Sequence, residues 1–263
     1  MSAPARAHAR PPVTPIPLGR IIGVELRKMF DTRSGFWLLM SIGVLSVVAT
    51  VAVIVFAPDR DVNYLTFASA LGFPMSVILP MIAILGVTSE WSQRSGLTTF
   101  TLVPSRAKVI SAKAIATLVV GVTSMLLAGV FGAVGNLAGS AIVGTDTVWN
   151  IGLAVAAQII LGNLVGMAIG FTLGVVFRNS PAAIVGYFVL SFVLPGVLIL
   201  LAQVREWFAD LQPWIDWSVT QEMLFTGEIS SAQEWTQLAS TTAIWIIVPL
   251  AAGLTLLRRS EVK

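Results

Sequence analysis

The chain has 263 residues, of which 56% are hydrophobic and only 11% are charged, against roughly 25% charged residues in an ordinary soluble domain. Because so few charges cannot cover a water-soluble surface, the composition excludes a soluble enzyme module and predicts one membrane domain. The net charge of +3 is modest, and the basic residues are not gathered on a helix with aromatic residues, which argues against a nucleic-acid partner.

Residues 1–17 contain five prolines and the one histidine of the sequence, His8. This composition predicts a disordered cytoplasmic tail, in which an ordered catalytic or ligand role for His8 is not expected. The absence of cysteine removes disulfides, thiolate nucleophiles and cysteine-based zinc sites. We therefore expect no catalytic residue, metal site or cofactor in this chain, and a single transmembrane domain over residues 18–263.

Residues 18–30, LGRIIGVELRKMF, have the pattern of an amphipathic helix lying along the inner membrane surface. The basic residues Arg20, Arg27 and Lys28 lie outside its apolar face. Anchoring by acidic lipids and contact with a partner protein are equally consistent with this pattern. The apolar face is expected to consist of Leu18, Ile22, Leu26, Met29 and Phe30.

Six apolar segments are long enough to cross the bilayer, which requires about 20 residues. Lys113, near the start of the third segment, is the only Asp, Glu, Lys or Arg residue within them. We therefore expect the spans to carry no buried ionisable group, which disfavours a proton-driven transporter and an intramembrane enzyme. The predicted spans are residues 36–56, 66–88, 110–135, 151–177, 181–203 and 238–257.

The orientation follows from the positive charges in the connections between spans, because Lys and Arg are retained on the cytoplasmic side. The leader holds six of them, the second-to-third connection four, the fourth-to-fifth connection one and the C-terminus three. The alternate connections hold only Arg60 and Arg205. Both termini are therefore predicted to be cytoplasmic. An excess of arginine over lysine in an Ala-, Val- and Gly-rich chain is typical of a GC-rich bacterial genome.

The fourth span carries Gly162, Gly166, Gly170 and Gly174 along one helix face. Such a stripe favours close helix packing, within one subunit or between two, over a substrate groove. On the same helix, Gln158 and Asn163 are candidates for hydrogen bonds across that interface. Prolines in three other spans each remove a helix hydrogen bond and favour kinks: Pro74, Pro80, Pro195 and Pro249.

The connection from Glu90 to Lys113 reads EWSQRSGLTTFTLVPSRAKVISAK and is polar and basic. It resembles the corresponding segment of the permeases of the ABC-2 transporter family, and the resemblance extends over most of the chain. Further matches are ELRKMFDTRSGFWLL in the leader and FRNSP at the turn before span five. The residues that carry the resemblance in the connection are Glu90, Arg94, Ser95, Gly96, Leu97, Pro104, Ser105 and Arg106. Loop charge alone would also be explained by retention on the cytoplasmic side.

The resemblance implies an all-α membrane protein in the bacterial plasma membrane that exports an apolar or amphipathic molecule, such as a drug, antibiotic or lipid. It also implies a coupling helix after span two that docks on a cytoplasmic ABC ATPase. Two ATPase copies would carry the ATP and Mg²⁺, since this sequence has no G-x-x-x-x-G-K-[ST] phosphate loop. A second permease copy, identical or related, completes the assembly. The resemblance also implies that the leader helix forms an elbow along the membrane. The residues assigned to this elbow helix are Glu25, Arg27, Lys28 and Phe30.

Residues 204–237 precede the last span and carry Trp207, Trp214 and Trp217 among acidic residues. The resemblance suggests short external helices that line the exit, whereas tryptophan at this level also serves as an interfacial anchor. An outer gate and an anchor are equally consistent with these residues. For the whole chain, the alternatives to an exporter are a channel and a non-transporting membrane anchor or immunity protein.

Overall fold

The structure is a computed structural model that describes residues 16–92 and 105–259, and this part of the chain contains no β-strand. Nearly all of the predicted tail 1–17 lies outside the described residues. The helices are α1 (Leu18–Asp31), α2 (Arg33–Phe56), α3 (Tyr64–Ser92), α4 (Arg106–Val143), α5 (Leu153–Phe177), α6 (Ser180–Phe188), α7 (Leu194–Val204), α8 (Glu206–Ile215), α9 (Trp217–Thr226), α10 (Ala232–Thr242) and α11 (Val248–Arg259).

Six helical stretches within the described residues are long and apolar enough to cross a membrane. They confirm the six predicted spans and are those of a multi-pass membrane protein. The third is longer than predicted, since α4 has 38 residues and therefore measures about 57 Å, more than a bilayer core of roughly 30 Å. The six stretches are Arg33–Phe56, Tyr64–Ser92, Arg106–Val143, Leu153–Phe177, Ser180–Val204 and Ala232–Leu257.

The centre of the bundle is formed by α3 and α5, which pack against each other along much of their length. In the most apolar stretch of each of these helices 56% of the residues are buried, against 17% in the first, fifth and sixth spans. Those three spans therefore present most of their apolar side chains outward, as expected of helices that face lipid.

The last two spans are interrupted by short π-helical segments, Val189–Val193 and Ala243–Ile247. Each lies just before a proline of its span, Pro195 or Pro249. Proline lacks the N–H that an α-helix needs, and a widened turn is one way to accommodate the missing hydrogen bond. In contrast, Pro74 and Pro80 lie inside the continuous helix α3.

The four glycines of α5 face neighbours within the same chain. Gly162 and Gly166 lie against Phe225 and Gln221 of α9. The other two face α3: a Cβ on Gly170 would lie 2.7 Å from the backbone oxygen of Pro80, and one on Gly174 would lie 3.2 Å from Val87. The stripe therefore serves packing inside this chain, where it lets α3 and α9 approach α5 closely.

The two polar residues predicted to bridge this interface behave differently. Gln158 exchanges two hydrogen bonds with the backbone of Ile229, at 2.9 and 3.2 Å, and so ties α5 to the connection between α9 and α10. The Asn163 amide instead donates to Ile159 of its own helix at 3.0 Å. Only Gln158 makes the predicted contact with another element.

The turn between α5 and α6 consists of two residues. Arg178 ends α5 with a φ of 52°, in the left-handed region, and the Asn179 side chain accepts from the backbone N–H of Ala182 at the start of α6. A non-glycine residue in this region carries a backbone penalty, so Arg178 adds strain to this turn.

We expect Gly170→Ala to destabilise the protein by about 1–3 kcal/mol, because the added methyl group meets the backbone of Pro80 and not a flexible side chain. The matched control is Gly72→Ala in α3, where nothing lies within 4 Å of the added atom. Thermal unfolding in detergent measures both variants. Equal stability of the two would contradict the packing role of Gly170.

We also expect Arg178→Gly to be more stable than Arg178→Ala by about 1 kcal/mol. Both variants lose the arginine side chain, so their difference isolates the cost of the left-handed backbone conformation. The same unfolding measurement applies, and an alanine variant as stable as the glycine variant would show that the turn adopts another conformation.

Candidate functional site

A charged cluster lies at the end of the bundle where α1, the end of α3 and the start of α4 meet. It consists of Glu25 and Lys28 from α1, Glu90 from α3 and Lys113 from α4. Glu25, Glu90 and Lys113 are 3%, 2% and 0% exposed. Buried charges are costly unless they are paired, so the contacts within this cluster decide whether the three helices can pack as they do.

Lys113 is the centre of the cluster. Its ammonium group donates to Glu25 Oε2 at 2.6 Å and to the backbone oxygen of Gly86 at 3.0 Å, and it lies 3.4 Å from Glu90 Oε1. The two carboxylates and two ammonium groups of the cluster balance in formal charge. Lys113 therefore joins all three helices through one buried atom.

Lys28 completes the cluster from its solvent side. Its ammonium group donates to Glu25 Oε1 at 2.7 Å and to Glu90 Oε1 at 3.4 Å. Burial works against the charged form of Lys28, but the hydrogen bonds and charges of the two glutamates outweigh it and raise the pKa of Lys28 above its ordinary 10.5. Lys28 therefore stays protonated at neutral pH, and its contribution to stability is lost only as the pH rises through the raised pKa.

The cluster corrects one sequence expectation, since ionisable groups are buried within spanning helices: Glu90 lies inside α3 and Lys113 inside α4. The side chains of α1 that are buried are Ile21, Glu25 and Met29. Of the predicted apolar face, this buried set includes Met29 alone. The apolar periodicity of α1 could not show that Glu25 has a buried cationic partner 88 residues away.

The four predicted elbow-helix residues of α1 have two different environments. Glu25 and Lys28 belong to the cluster, while Arg27 lies on the exposed side, 4.0 Å from Asp31 in an open ion pair. Phe30 is also exposed. Exposed ion pairs contribute little to stability, so only two of the four residues hold α1 against the bundle.

The predicted coupling segment falls mostly outside the described residues, namely Arg94, Ser95, Gly96, Leu97 and Pro104. The described residues on either side of this gap have defined contacts. Glu90 belongs to the charged cluster, and the Ser105 side chain caps α4 by accepting from the backbone N–H of Lys108 at 3.4 Å. The segment therefore begins and ends within a few residues of the cluster.

Two arginines hold the end of the last span at the same end of the bundle. Arg106, at the start of α4, donates to the backbone oxygen of Leu257, and Arg178 donates to that of Gly253 at 3.5 Å. Positive groups are favourable near the carbonyl end of a helix. Arg106, which the resemblance marks as a coupling residue, therefore has a described contact with α11.

The short helices α8 and α9 precede the last span, as the sequence predicted. The three marked tryptophans differ in environment: Trp207 is 66% exposed and Trp217 is 3% exposed, while Trp214 accepts a hydrogen bond from Ser240 through its backbone oxygen at 2.8 Å. Trp207 has the exposure of an interfacial anchor. Trp217 is a core residue that packs with Ile84, Ile169 and Tyr187.

An apolar cavity of about 330 Å³ lies between α3, α4 and α5, towards the end of the bundle opposite the charged cluster. Small and aliphatic side chains line it, among them Ala68, Met75, Ala128 and Ile160. The Tyr64 hydroxyl at its edge donates to the backbone oxygen of Gly129 at 3.2 Å. This cavity has the size and character of a site for a small apolar molecule.

Among the described residues no three His, Cys, Asp or Glu side chains come together as metal ligands would. No protein-family model matches the chain, and no curated protein is similar to it in sequence. Among the described residues, the charged cluster and the apolar cavity are therefore the features that bear on function.

We expect Lys113→Met to destabilise the protein by about 3–5 kcal/mol, because it leaves Glu25 and Glu90 buried with a single, half-exposed cationic partner. Lys108→Met is the matched control, since the Lys108 ammonium group contacts only the backbone oxygen of Ile16 in the described structure. Denaturant unfolding measures both. Adding Glu25→Gln to Lys113→Met should restore part of the loss, and additive effects of the two changes would contradict the pairing.

Proposed function

We propose that this chain is the membrane-spanning permease subunit of an ATP-driven exporter of the ABC-2 type, in the plasma membrane of a bacterium. The observation that carries the proposal is the charged cluster that ties α1 to both helices flanking residues 93–104. A partner that pushes on this segment would move the end of α3 and the start of α4. Because Lys113 contacts Glu25 and Glu90 together, that movement would be transmitted to α1.

The distribution of positive charge supports the assignment of sides. The connection that contains Arg94, the turn with Arg178 and both chain ends carry nearly all of the Lys and Arg residues. In the structure, the charged cluster lies at this positively charged end of the bundle. A cytoplasmic ATPase would therefore meet the α1 helix and residues 93–104 on one face of the membrane.

The substrate class is supported by the apolar cavity between α3, α4 and α5. Apart from Tyr64, the side chains that line it are apolar. The Tyr64 hydroxyl is already hydrogen-bonded to the backbone oxygen of Gly129. A molecule that binds there has to be recognised by shape and apolar contact. This favours an apolar or amphipathic substrate over an ion or a sugar.

The charged cluster itself is unlike a proton relay. Its members lie near the ends of their helices, with Glu90 two residues before the end of α3, and each carboxylate is already paired with lysine. A relay requires groups that release and accept protons along a path across the membrane. The pairing instead favours a mechanical link between helices.

The proposal is tested by purifying the tagged chain from its native membrane in mild detergent. We expect an ABC ATPase to co-purify in equal amount, with ATP hydrolysis that depends on this chain. Arg94→Glu should reduce the recovered ATPase by about tenfold, since it reverses a charge in the proposed docking segment. Arg60→Glu is the matched control, because Arg60 lies in the connection assigned to the opposite side of the membrane.

A chain that purifies alone in several mild detergents, without ATP hydrolysis, would contradict the proposal and favour a channel or a membrane anchor. Equal loss of ATPase in the Arg94 and Arg60 variants would contradict the docking segment only. The two results are distinguishable because the first concerns the unmodified chain.

A further inference from the structure

A second cavity, of about 330 Å³, lies directly beside the charged cluster, between α1, the start of α2 and the end of α3. Its lining includes the charged side chains of Glu25, Lys28 and Glu90. It also includes apolar side chains, among them Leu38 and Ile82. A cavity lined by both kinds of side chain fits an amphiphile that has a charged head and a hydrocarbon tail.

Glu90 is the carboxylate of the cluster that is least well paired. Its Oε1 lies 3.4 Å from both lysine ammonium groups, whereas Glu25 receives them at 2.6 and 2.7 Å. The second oxygen, Oε2, is buried and has no hydrogen-bond partner among the described residues. A buried acceptor without a donor is unfavourable, so Glu90 is suited to receive a hydrogen bond from a ligand in the cavity.

Lys28 provides the complementary charge. Its side chain is 40% exposed, and two of its three possible hydrogen bonds go to Glu25 and Glu90. The third is available to a ligand in the cavity, since Lys28 belongs to its lining. A ligand with a donor for Glu90 and an anionic group for Lys28 would therefore satisfy both residues.

We propose that this cavity binds a phospholipid whose head group carries a free primary ammonium, of the phosphatidylethanolamine class. The ammonium donates to Glu90, the phosphate lies against Lys28, and the first part of the hydrocarbon extends along Leu38 and Ile82. A choline head group has no N–H to donate. A head group with a phosphate and no cation would add a net negative charge to a cluster whose charges already balance, and would leave Glu90 without a donor.

The position of the cavity agrees with this ligand. It opens beside α1, an amphipathic helix of the kind that lies at the bilayer surface, and next to the first residues of the spanning helix α2. Phospholipid head groups occupy this level of the membrane. The inference rests on the cavity and its charges, and not on the proposed ATPase partner.

The test uses the purified chain alone, in detergent, with phospholipids that share their acyl chains and differ in head group. Native mass spectrometry measures the lipid that remains bound. We expect the ethanolamine lipid to bind at least about tenfold more tightly than the choline lipid, the effect of one hydrogen bond to a buried charge. Glu90→Gln should abolish this preference, and Glu222→Gln, which removes an exposed carboxylate from α9, should leave it unchanged.

A second variant blocks the cavity without altering the cluster. Ser34→Trp places a bulky side chain in its lining and should reduce ethanolamine-lipid binding even if the Glu90 variant fails to fold. Ser230→Trp, in an exposed position of the connection between α9 and α10, is the control for added bulk. Three outcomes would overturn the proposal: equal binding of the ethanolamine and choline lipids, stronger binding of a phosphatidylglycerol with the same acyl chains, or undiminished ethanolamine-lipid binding in Ser34→Trp.

Discussion

The burial of Lys113 between Glu25 and Glu90 is the interaction on which the arrangement of this end of the molecule depends. An ammonium group that is 0% exposed is stable only with close anionic partners. Glu25 comes from α1, so the helix outside the spans has to lie against α3 and α4 for Lys113 to be neutralised. The position of α1 is therefore set by a charge requirement within the spanning helices as well as by its own apolar residues.

The two ends of the bundle are held together by different means. At the end with the charged cluster, ions and arginine contacts join α1, α3, α4 and α11. Along the rest of α5, glycines allow the backbones of neighbouring helices to approach closely. The contacts there are van der Waals contacts between closely packed atoms. At the charged end, two lysine ammonium groups share one carboxylate oxygen, Glu90 Oε1.

The sequence predicted the six spans well, because long apolar runs are a strong signal. It predicted their ends less well. The helix α3 continues past residue 88 to Ser92 because Glu90 finds a buried partner, and the last span begins at Ala232, where Ser231 and Glu234 form a capping box. The structure extends α4 through Asn136 and Ser140, both buried against neighbouring elements, where hydropathy alone ends the span at residue 135.

The charged cluster could be predicted only in part. Glu90 stood out through its place in the connection motif, and Lys113 as the one charge inside a predicted span, but nothing in the pattern of α1 assigned Glu25 to its buried face. The pairing is a property of three helices that are distant in sequence, and single-helix periodicity carries no information about it. The family resemblance of residues 90–106 stays a prediction, since most of that segment lies outside the described structure.

Glu90 belongs both to the cluster and to the cavity beside it, and this double role links the two proposals physically. A cationic head group bound to Oε2 would compete with Lys28 and Lys113 for the charge of Glu90 and so weaken its hold on both lysines. Lys113 would then depend more strongly on Glu25, which draws α1 towards α4. The cavity is thus placed where a membrane lipid can change the balance between the contacts that fix α1 and those that fix the end of α3, and residues 93–104 follow directly from that end.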